Sequence, residues 1–274
     1  MNYKDFMADP NRGCAIIAHR GIWRDAPENS LLAIERAIAE GCDVVEIDVR
    51  KSADGQFYLL HDASLKRMTG LDAAVEALPS GELAAQQLHN RDGGPENPLT
   101  AQMLPSLREV FELTRGRILL HLDVKDRNLI PEVIAEAKAM GVDQEVDVWA
   151  ELRNASDLAW VEQHAMSQVA FIAKTRLNVP DATLQTELVF LLKPSICEIY
   201  FDRIEQVAAL RYRFAETGIA LWVNTLDDVS CAGMTDTAAL QDPEAVWGRL
   251  IDAGVSAIQT DEATALRTYL ASRR

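Results

Sequence analysis

Residues 44–50 read VVEIDVR, a stretch with the apolar content of a buried strand and with charged side chains on one face. Side chains alternate along a strand, so Glu46 and Asp48 share one face while Val45 and Ile47 share the other. The Cα atoms of the two acidic residues would then lie about 6–7 Å apart. Because buried carboxylates are costly unless they are paired or bind a metal, the stretch predicts either an amphipathic surface strand or a strand that carries a charged site.

Outward from this stretch, short apolar runs alternate with helix-like segments along most of the chain. Eight runs predict strands: 14–19, 42–48, 117–125, 145–151, 168–174, 197–202, 219–224 and 255–261. Eight strands rich in Val, Ile and Leu, with helices between them, predict an α/β fold, a single (β/α)8 TIM barrel over residues 1–274. The alternative is an open doubly wound sheet, which the lack of a glycine-rich dinucleotide loop after the first strand disfavours.

The residues after VVEIDVR are expected to fold back on that strand. Asp54-Gly55 is a hairpin signal, and residues 56–60 (QFYLL) are strand-like. A parallel crossover needs about a dozen residues, so we predict that 56–60 form an antiparallel hairpin extension of the second strand. Residues 66–104 then form a small, irregular capping insertion, which we expect to lie over the barrel mouth because it follows the C-terminal end of a strand.

The overall charge disfavours two classes of partner. The 274 residues are 48% hydrophobic and 25% charged, with a formal net charge of −15. An acidic surface repels nucleic acid and anionic lipid headgroups, so we expect neither nucleic-acid binding nor stable membrane association. The chain has no run of about 18 apolar residues, and residues 1–13 lack the apolar region of a signal peptide. These features predict a cytoplasmic protein.

Ionisable and polar residues collect at the C-terminal ends of the predicted strands, where (β/α)8 barrels carry their chemistry. They are His19 and Arg20, Glu46 and Asp48, His61 and Asp62, Asp123 and Lys125, and Trp222 and Asn224. Such clustering is not expected of an amphipathic surface strand, so it favours a charged site. The carboxylates of Glu46, Asp48 and Asp123 are the oxygen ligands that suit Mg²⁺ or Ca²⁺.

The other residues of this group suit acid–base and phosphate chemistry. His19 and His61 could donate and accept protons near neutral pH. Arg20 and Lys125 could hold a phosphate oxygen, Arg20 with two parallel hydrogen bonds. For His121, one layer deeper on the third strand, we favour a place in the core or behind the metal ligands.

Several motifs resemble the glycerophosphodiester phosphodiesterase family, in the right order along most of the chain. The N-terminal signature of that family is similar to IAHRG (17–21), PENS (27–30), VEIDV (45–49) and LLHD (59–62). The segment MLPSLREVFEL, WVNT (222–225) and AIQTD (257–261) resemble its later motifs. The resemblance implies a capped barrel whose mouth holds one divalent cation, Mg²⁺ or Ca²⁺ with Mn²⁺ as an alternative.

The resemblance also assigns roles to individual residues. It implies metal ligation by Glu46 and Asp48 and acid–base roles for His19 and His61. In the stretch LDVK, Asp123 takes the place of the family's later ligand, usually a Glu, and Lys125 that of its phosphate-binding lysine. Trp222 could be a wall of the substrate pocket or part of the core. Glu28 falls near the site by resemblance, whereas Asn29 also suits a helix N-cap.

The leading hypothesis is metal-dependent hydrolysis of a small-molecule glycerophosphodiester to glycerol 3-phosphate and an alcohol. The nucleophile is water or the glycerol 2-hydroxyl. One alternative is a lipid phosphodiesterase of the lysophospholipase D or sphingomyelinase D kind. The other is a catalytically inactive barrel that binds phosphorylated ligands, although no expected histidine or acidic ligand is missing from the chain.

Overall fold

The computed structural model describes residues 1–273, which divide into two compact units. The first unit runs from Ala18 to Val146, and the second combines Met1–Ile17 with the chain from Asp147 onward. Whether the chain is a single domain stays a prediction. In the described residues, no helix is both long enough and apolar enough to cross a membrane.

All eight predicted strands are present, within a few residues of their predicted ends. The strands are β1 Ala15–His19, β2 Val44–Lys51, β3 Phe57–Leu59, β4 Gln87–His89, β5 Leu99–Met103, β6 Leu119–Val124, β7 Val146–Glu151, β8 Ala170–Arg176, β9 Ile196–Tyr200, β10 Ala220–Asn224 and β11 Ala257–Thr260. Apart from β3, β4 and β5, they alternate with helices in the order of a (β/α)8 barrel.

Helices occupy most of the chain between these strands. The α-helices are α1 Tyr3–Ala8, α2 Leu31–Ala39, α3 Lys66–Thr69, α4 Ser80–Leu83, α5 Leu107–Thr114, α6 Ile130–Ala139, α7 Ala155–His164, α8 Ala182–Leu192, α9 Ile204–Thr217, α10 Asp236–Gln241, α11 Arg249–Asp252 and α12 Ala263–Ser272. Short 3₁₀ segments cover Val75–Ala77 and Arg127–Leu129, and a π-helical turn covers Glu244–Gly248.

In the first unit, β2 pairs in parallel with β6, and the register places Glu46 opposite His121 and Asp48 opposite Asp123. β3 returns antiparallel against the end of β2, with Val49 opposite Leu59, so the predicted hairpin is confirmed. The pairing of β2 with β6 brings the acidic face of VVEIDVR beside the polar face of LDVK. That register creates the candidate site.

The capping insertion is more ordered than the sequence indicates. Residues 66–104 contain α3, α4 and an antiparallel pair of strands, β4 and β5. Apolar side chains of the insertion and of the residues around it form a small core of their own: Tyr58, Leu60, Leu65, Met68, Val75, Leu83, Leu88 and Leu104. The expectation of an irregular segment is therefore wrong, because scattered apolar residues without a clear period still meet in space. Its location over the barrel mouth stays a prediction.

In the second unit, β7 to β11 are parallel neighbours in chain order. A buried carboxylate joins the ends of two of these strands to a helix. Asp236, the first residue of α10, accepts hydrogen bonds from the Thr225 hydroxyl at 2.6 Å and the Thr260 hydroxyl at 2.6 Å. It also accepts one from the Asp261 N–H at 2.8 Å. Burial raises the pKa of Asp236 to about 6, although these hydrogen bonds oppose the rise.

We expect stability near neutral pH to depend on Asp236. Its folded-state pKa lies above the ordinary value of 3.8, so the folded protein retains a proton that the unfolded chain loses, and stability falls as pH rises through 6. Between pH 5 and pH 7.5, the free energy of unfolding of the wild type should fall by about 1–1.5 kcal/mol more than that of Asp236→Asn. Urea titrations across this range measure the difference, with the exposed Asp228→Asn as control. Parallel pH curves for wild type and Asp236→Asn would contradict it.

Candidate active site

Three carboxylates come together at the ends of β2 and β6. One ligand oxygen from each of Glu46, Asp48 and Asp123 lies within 4.8 Å of the other two. Glu46 is 3% exposed and Asp48 is 1% exposed. Such burial rules out the amphipathic-surface interpretation of VVEIDVR, because charged groups this deep need compensation.

Asp48 obtains that compensation from two cationic side chains. The Lys125 ammonium lies 2.5 Å from Asp48 Oδ1 and 2.6 Å from Asp123 Oδ2. Arg20 Nε lies 3.2 Å from Asp48 Oδ2. Burial opposes ionisation of Asp48, but the charges of Lys125 and Arg20 outweigh it and hold its pKa well below the ordinary range. Burial likewise opposes the charge of Lys125, and the two aspartates raise its pKa in return.

The negative charge of Glu46 has fewer cationic groups around it than that of Asp48. Burial, together with the neighbouring charge of Asp48, raises the pKa of Glu46 to about 7. The Arg20 backbone N–H donates to Glu46 Oε2 at 3.1 Å, and His19 Nε2 lies 3.9 Å from the same oxygen. A carboxylate with so little positive charge around it is suited to a cation. The donor set, three carboxylates and no sulfur, fits a hard divalent ion such as Mg²⁺ or Ca²⁺.

Asn29 orients Asp48 and does not cap a helix. Its backbone has a φ of 57°, in the left-handed region that asparagine tolerates better than most residues. Asn29 Nδ2 donates to Asp48 Oδ2 at 2.7 Å, and the Asp48 N–H donates to Asn29 Oδ1 at 3.1 Å. The N-cap of α2 is Ser30, whose hydroxyl accepts from the Ala33 N–H. The interpretation of Asn29 as an N-cap is therefore wrong by one residue.

A chain of ion pairs connects Arg20 with His61. Glu28 Oε2 lies 2.9 Å from Arg20 Nη1, and Glu28 Oε1 accepts from Arg67 Nη2 at 2.6 Å. Arg67 also donates to Asp62, whose Oδ1 lies 2.9 Å from His61 Nδ1. The hydrogen bond from Arg67 is the main cause that lowers the pKa of Asp62 to about 2. Asp62 thus contacts His61 directly, and Glu28 contacts Arg20.

Two further residues that the sequence analysis discusses, His121 and Trp222, are buried. His121 is buried on β6, opposite Glu46 in the strand register. Trp222 belongs to the second unit, is 1% exposed, and donates its indole N–H to Asn224 Oδ1 at 2.7 Å. Its role as a wall of the substrate pocket stays a prediction, as do the phosphate-binding roles of Arg20 and Lys125.

The second unit contains a polar cluster that was not predicted. Glu198 Oε2 lies 3.0 Å from the Lys174 ammonium. Glu198 Oε1 accepts from the Tyr200 hydroxyl at 2.6 Å and from Asn224 Nδ2 at 2.9 Å. Lys174 also lies 3.9 Å from the centre of the Trp149 ring. The signal was available, because Glu198 and Tyr200 alternate along CEIYFD as Glu46 and Asp48 do along VVEIDVR.

The chain is similar in sequence to several known proteins. A protein named glycerophosphodiester phosphodiesterase, from Bacillus altitudinis, is 27% identical over 179 residues, 64% of this chain and 67% of its own length. Matches to several other relatives span less than half of those proteins. A family described only as a domain of unknown function matches residues 171–270.

Solved structures are similar over almost the whole chain. A glycerophosphoryl diester phosphodiesterase from Parabacteroides distasonis, 20% identical, superposes with a TM-score of 0.77 and covers 98% of this chain and 92% of its own. An Oleispira antarctica phosphodiesterase in complex with the product sn-glycerol-3-phosphate is 22% identical, with a TM-score of 0.67 and coverage of 94% and 97%.

Fold and site together define a (β/α)8 barrel with a cluster of three carboxylates that could hold a cation. The barrel fold that the sequence predicts is thereby confirmed. Within that class, relatives and solved structures named glycerophosphodiester phosphodiesterase support the family that the sequence motifs resemble.

Metal binding should depend on the charge of Glu46 and on pH. Burial and the charge of Asp48 raise the pKa of Glu46 and so favour its protonated form. A cation must then displace the proton, and affinity for Mn²⁺ should rise between pH 6 and pH 8. Glu46→Gln should lower the affinity about tenfold or more and remove much of this pH dependence. Calorimetric titration with Mn²⁺ measures both effects, with the exposed Glu82→Gln as a control that removes the same charge. Equal affinity of Glu46→Gln and wild type would exclude Glu46 as a ligand.

Proposed function

We propose that the protein hydrolyses glycerophosphodiesters to glycerol 3-phosphate and an alcohol, with a divalent cation as cofactor. The observation that carries the proposal is the buried triad of Glu46, Asp48 and Asp123, with the ammonium of Lys125 between two of its members. His19 and His61 lie in the same unit: His19 is the last residue of β1, and His61 lies two residues after the end of β3.

In the proposed site, the acidic residues bind the cation and the basic residues bind the phosphate group of the substrate. A bound Mg²⁺ or Ca²⁺, held by Glu46, Asp48 and Asp123, would supply positive charge for a non-bridging phosphate oxygen as negative charge builds there. Lys125 and Arg20 would hold further phosphate oxygens. Both already carry their charge in a buried site, paired with Asp48, so they are pre-organised for an anionic substrate.

The two histidines would move the protons. One would protonate the leaving alcohol, and the other would remove a proton from the nucleophile, which is water or the glycerol 2-hydroxyl. His61 is the proposed acid. Its Nδ1 lies 2.9 Å from the carboxylate of Asp62, a contact that orients the ring. His19 Nε2, 3.9 Å from Glu46, is the proposed base.

Turnover should require the cation. With glycerophosphocholine or glycerophosphoglycerol as substrate, release of glycerol 3-phosphate should stop in excess EDTA and return with Mg²⁺, Ca²⁺ or Mn²⁺. A coupled assay for glycerol 3-phosphate measures this. Full activity in excess EDTA would contradict the proposal. Turnover of lysophospholipids or sphingomyelin alone would favour a lipid phosphodiesterase, and binding of these ligands without turnover would favour an inactive barrel.

The histidine variants should separate the two proton transfers. His19→Ala and His61→Ala should each lower kcat by about 10²–10⁴-fold, and the surface variant His164→Ala should not. A p-nitrophenyl ester of glycerol phosphate needs no protonated leaving group, so it should restore turnover in His61→Ala and leave His19→Ala impaired. Comparing kcat for the alkyl and aryl substrates measures the rescue. Equal rescue of both variants, or of neither, would count against separate roles.

A further inference from the structure

Arg67, on helix α3 of the insertion, has a guanidinium group surrounded by acceptors. Its Nε donates to Asp62 Oδ2 at 2.7 Å, and its Nη2 donates to Asp62 Oδ1 at 3.0 Å and to Glu28 Oε1 at 2.6 Å. Its Nη1 donates to the carbonyl oxygen of Asp92. The contact with Asp62 is bidentate, the geometry in which arginine holds a carboxylate most firmly.

The insertion holds the backbone of Arg67 as well as its side chain. The Gly94 N–H donates to the Arg67 carbonyl at 2.7 Å. A Cβ atom added at Gly93, where φ is 78°, would lie 2.5 Å from that same carbonyl oxygen. Only a residue without a side chain lets this loop pass so close to α3. The loop therefore contacts both the backbone of Arg67, at Gly94, and its guanidinium group, at the Asp92 carbonyl.

Asp62 transmits this constraint to His61. An ionised carboxylate can accept hydrogen bonds but cannot donate them, and the contact with Arg67 keeps Asp62 ionised. The 2.9 Å contact between Asp62 Oδ1 and His61 Nδ1 thus requires that Nδ1 carries the proton. The tautomer of a histidine is set by the hydrogen bond of its other nitrogen. Nε2 is therefore the ring atom that would bind the catalytic proton, and it would pass that proton to the leaving alcohol while Nδ1 keeps its own.

We propose that Arg67 is a positioning residue for the phosphodiesterase reaction: it clamps Asp62, which fixes the ring of His61 with Nδ1 protonated and Nε2 directed to the reacting atoms. The inference rests on the proposed function, because it assigns Arg67 to a proton transfer by His61. It also means that the insertion contributes to catalysis, because Arg67 belongs to the insertion and orients His61 through Asp62.

A double-mutant cycle tests whether Arg67 acts through His61. With wild-type His61, Arg67→Met should lower kcat for glycerophosphocholine by about 10- to 100-fold, with KM changed by no more than about twofold. In the His61→Ala background, Arg67→Met should cost no more than about twofold, because the group it positions is gone. Arg67→Lys, which retains the charge without the bidentate geometry, should recover only part of the loss.

Two results of the cycle would overturn the proposal. An equal loss from Arg67→Met in both backgrounds would mean that Arg67 does not act through His61, and no loss in either would mean that it does not act at all. Lys66→Met is the matched control, since Lys66 is the exposed neighbour on α3 and pairs only with Asp72 among the described contacts. It should leave kcat unchanged, and melting temperatures identify any variant that fails to fold.

A second measurement is independent of turnover. Long-range ¹H–¹⁵N correlation spectra of the full chain, with the His61 signals assigned by their loss in His61→Ala, should show the neutral ring protonated at Nδ1. In Arg67→Met the ring should shift toward protonation at Nε2. An Nε2-protonated ring in the wild type would overturn the proposal even if the enzyme is active. An inactive wild type with an Nδ1-protonated ring would contradict the proposed reaction and leave the positioning intact.

Discussion

The buried carboxylate of Asp48 is the group on which the arrangement of the first unit depends. A lone charge at this depth would cost several kcal/mol of folding free energy, so its neighbours are constrained to compensate it. Lys125 reaches it from the end of β6, Arg20 from the end of β1, and Asn29 from the turn before α2. Side chains from three different segments thus contact the two oxygens of one carboxylate.

Much of the fold follows from local patterns. Runs of Val, Ile and Leu mark every barrel strand, and the period of two in VVEIDVR places Glu46 and Asp48 on one face. The hairpin can be predicted because the turn at Asp54-Gly55 leaves too few residues for a parallel crossover between the two strands. The structure of the insertion cannot be predicted in this way, because its core consists of single apolar residues from several short elements. No local sequence pattern indicates which of these residues will contact one another.

The features of the site that the sequence did not predict are contacts between side chains. Asn29 and Ser30 are both good N-caps, and only the position of Asp48 decides that Asn29 turns toward the carboxylate while Ser30 caps the helix. Arg67 lies in a segment without a chemical motif, so nothing local distinguishes it from the neighbouring Lys66. Charge and spacing identify the residues that a site contains, whereas their partners are determined by the tertiary fold.

The first unit also has a consequence for how the protein is made. Every group in the candidate centre, from His19 to Lys125, precedes β7, which begins at Val146. Chains are synthesised from the N-terminus, and domains tend to fold in that order. On the ribosome, the acidic residues and the cationic residues that neutralise them therefore emerge within one contiguous stretch. All the residues that compensate these buried charges are thus synthesised before the second unit's strands β7 to β11.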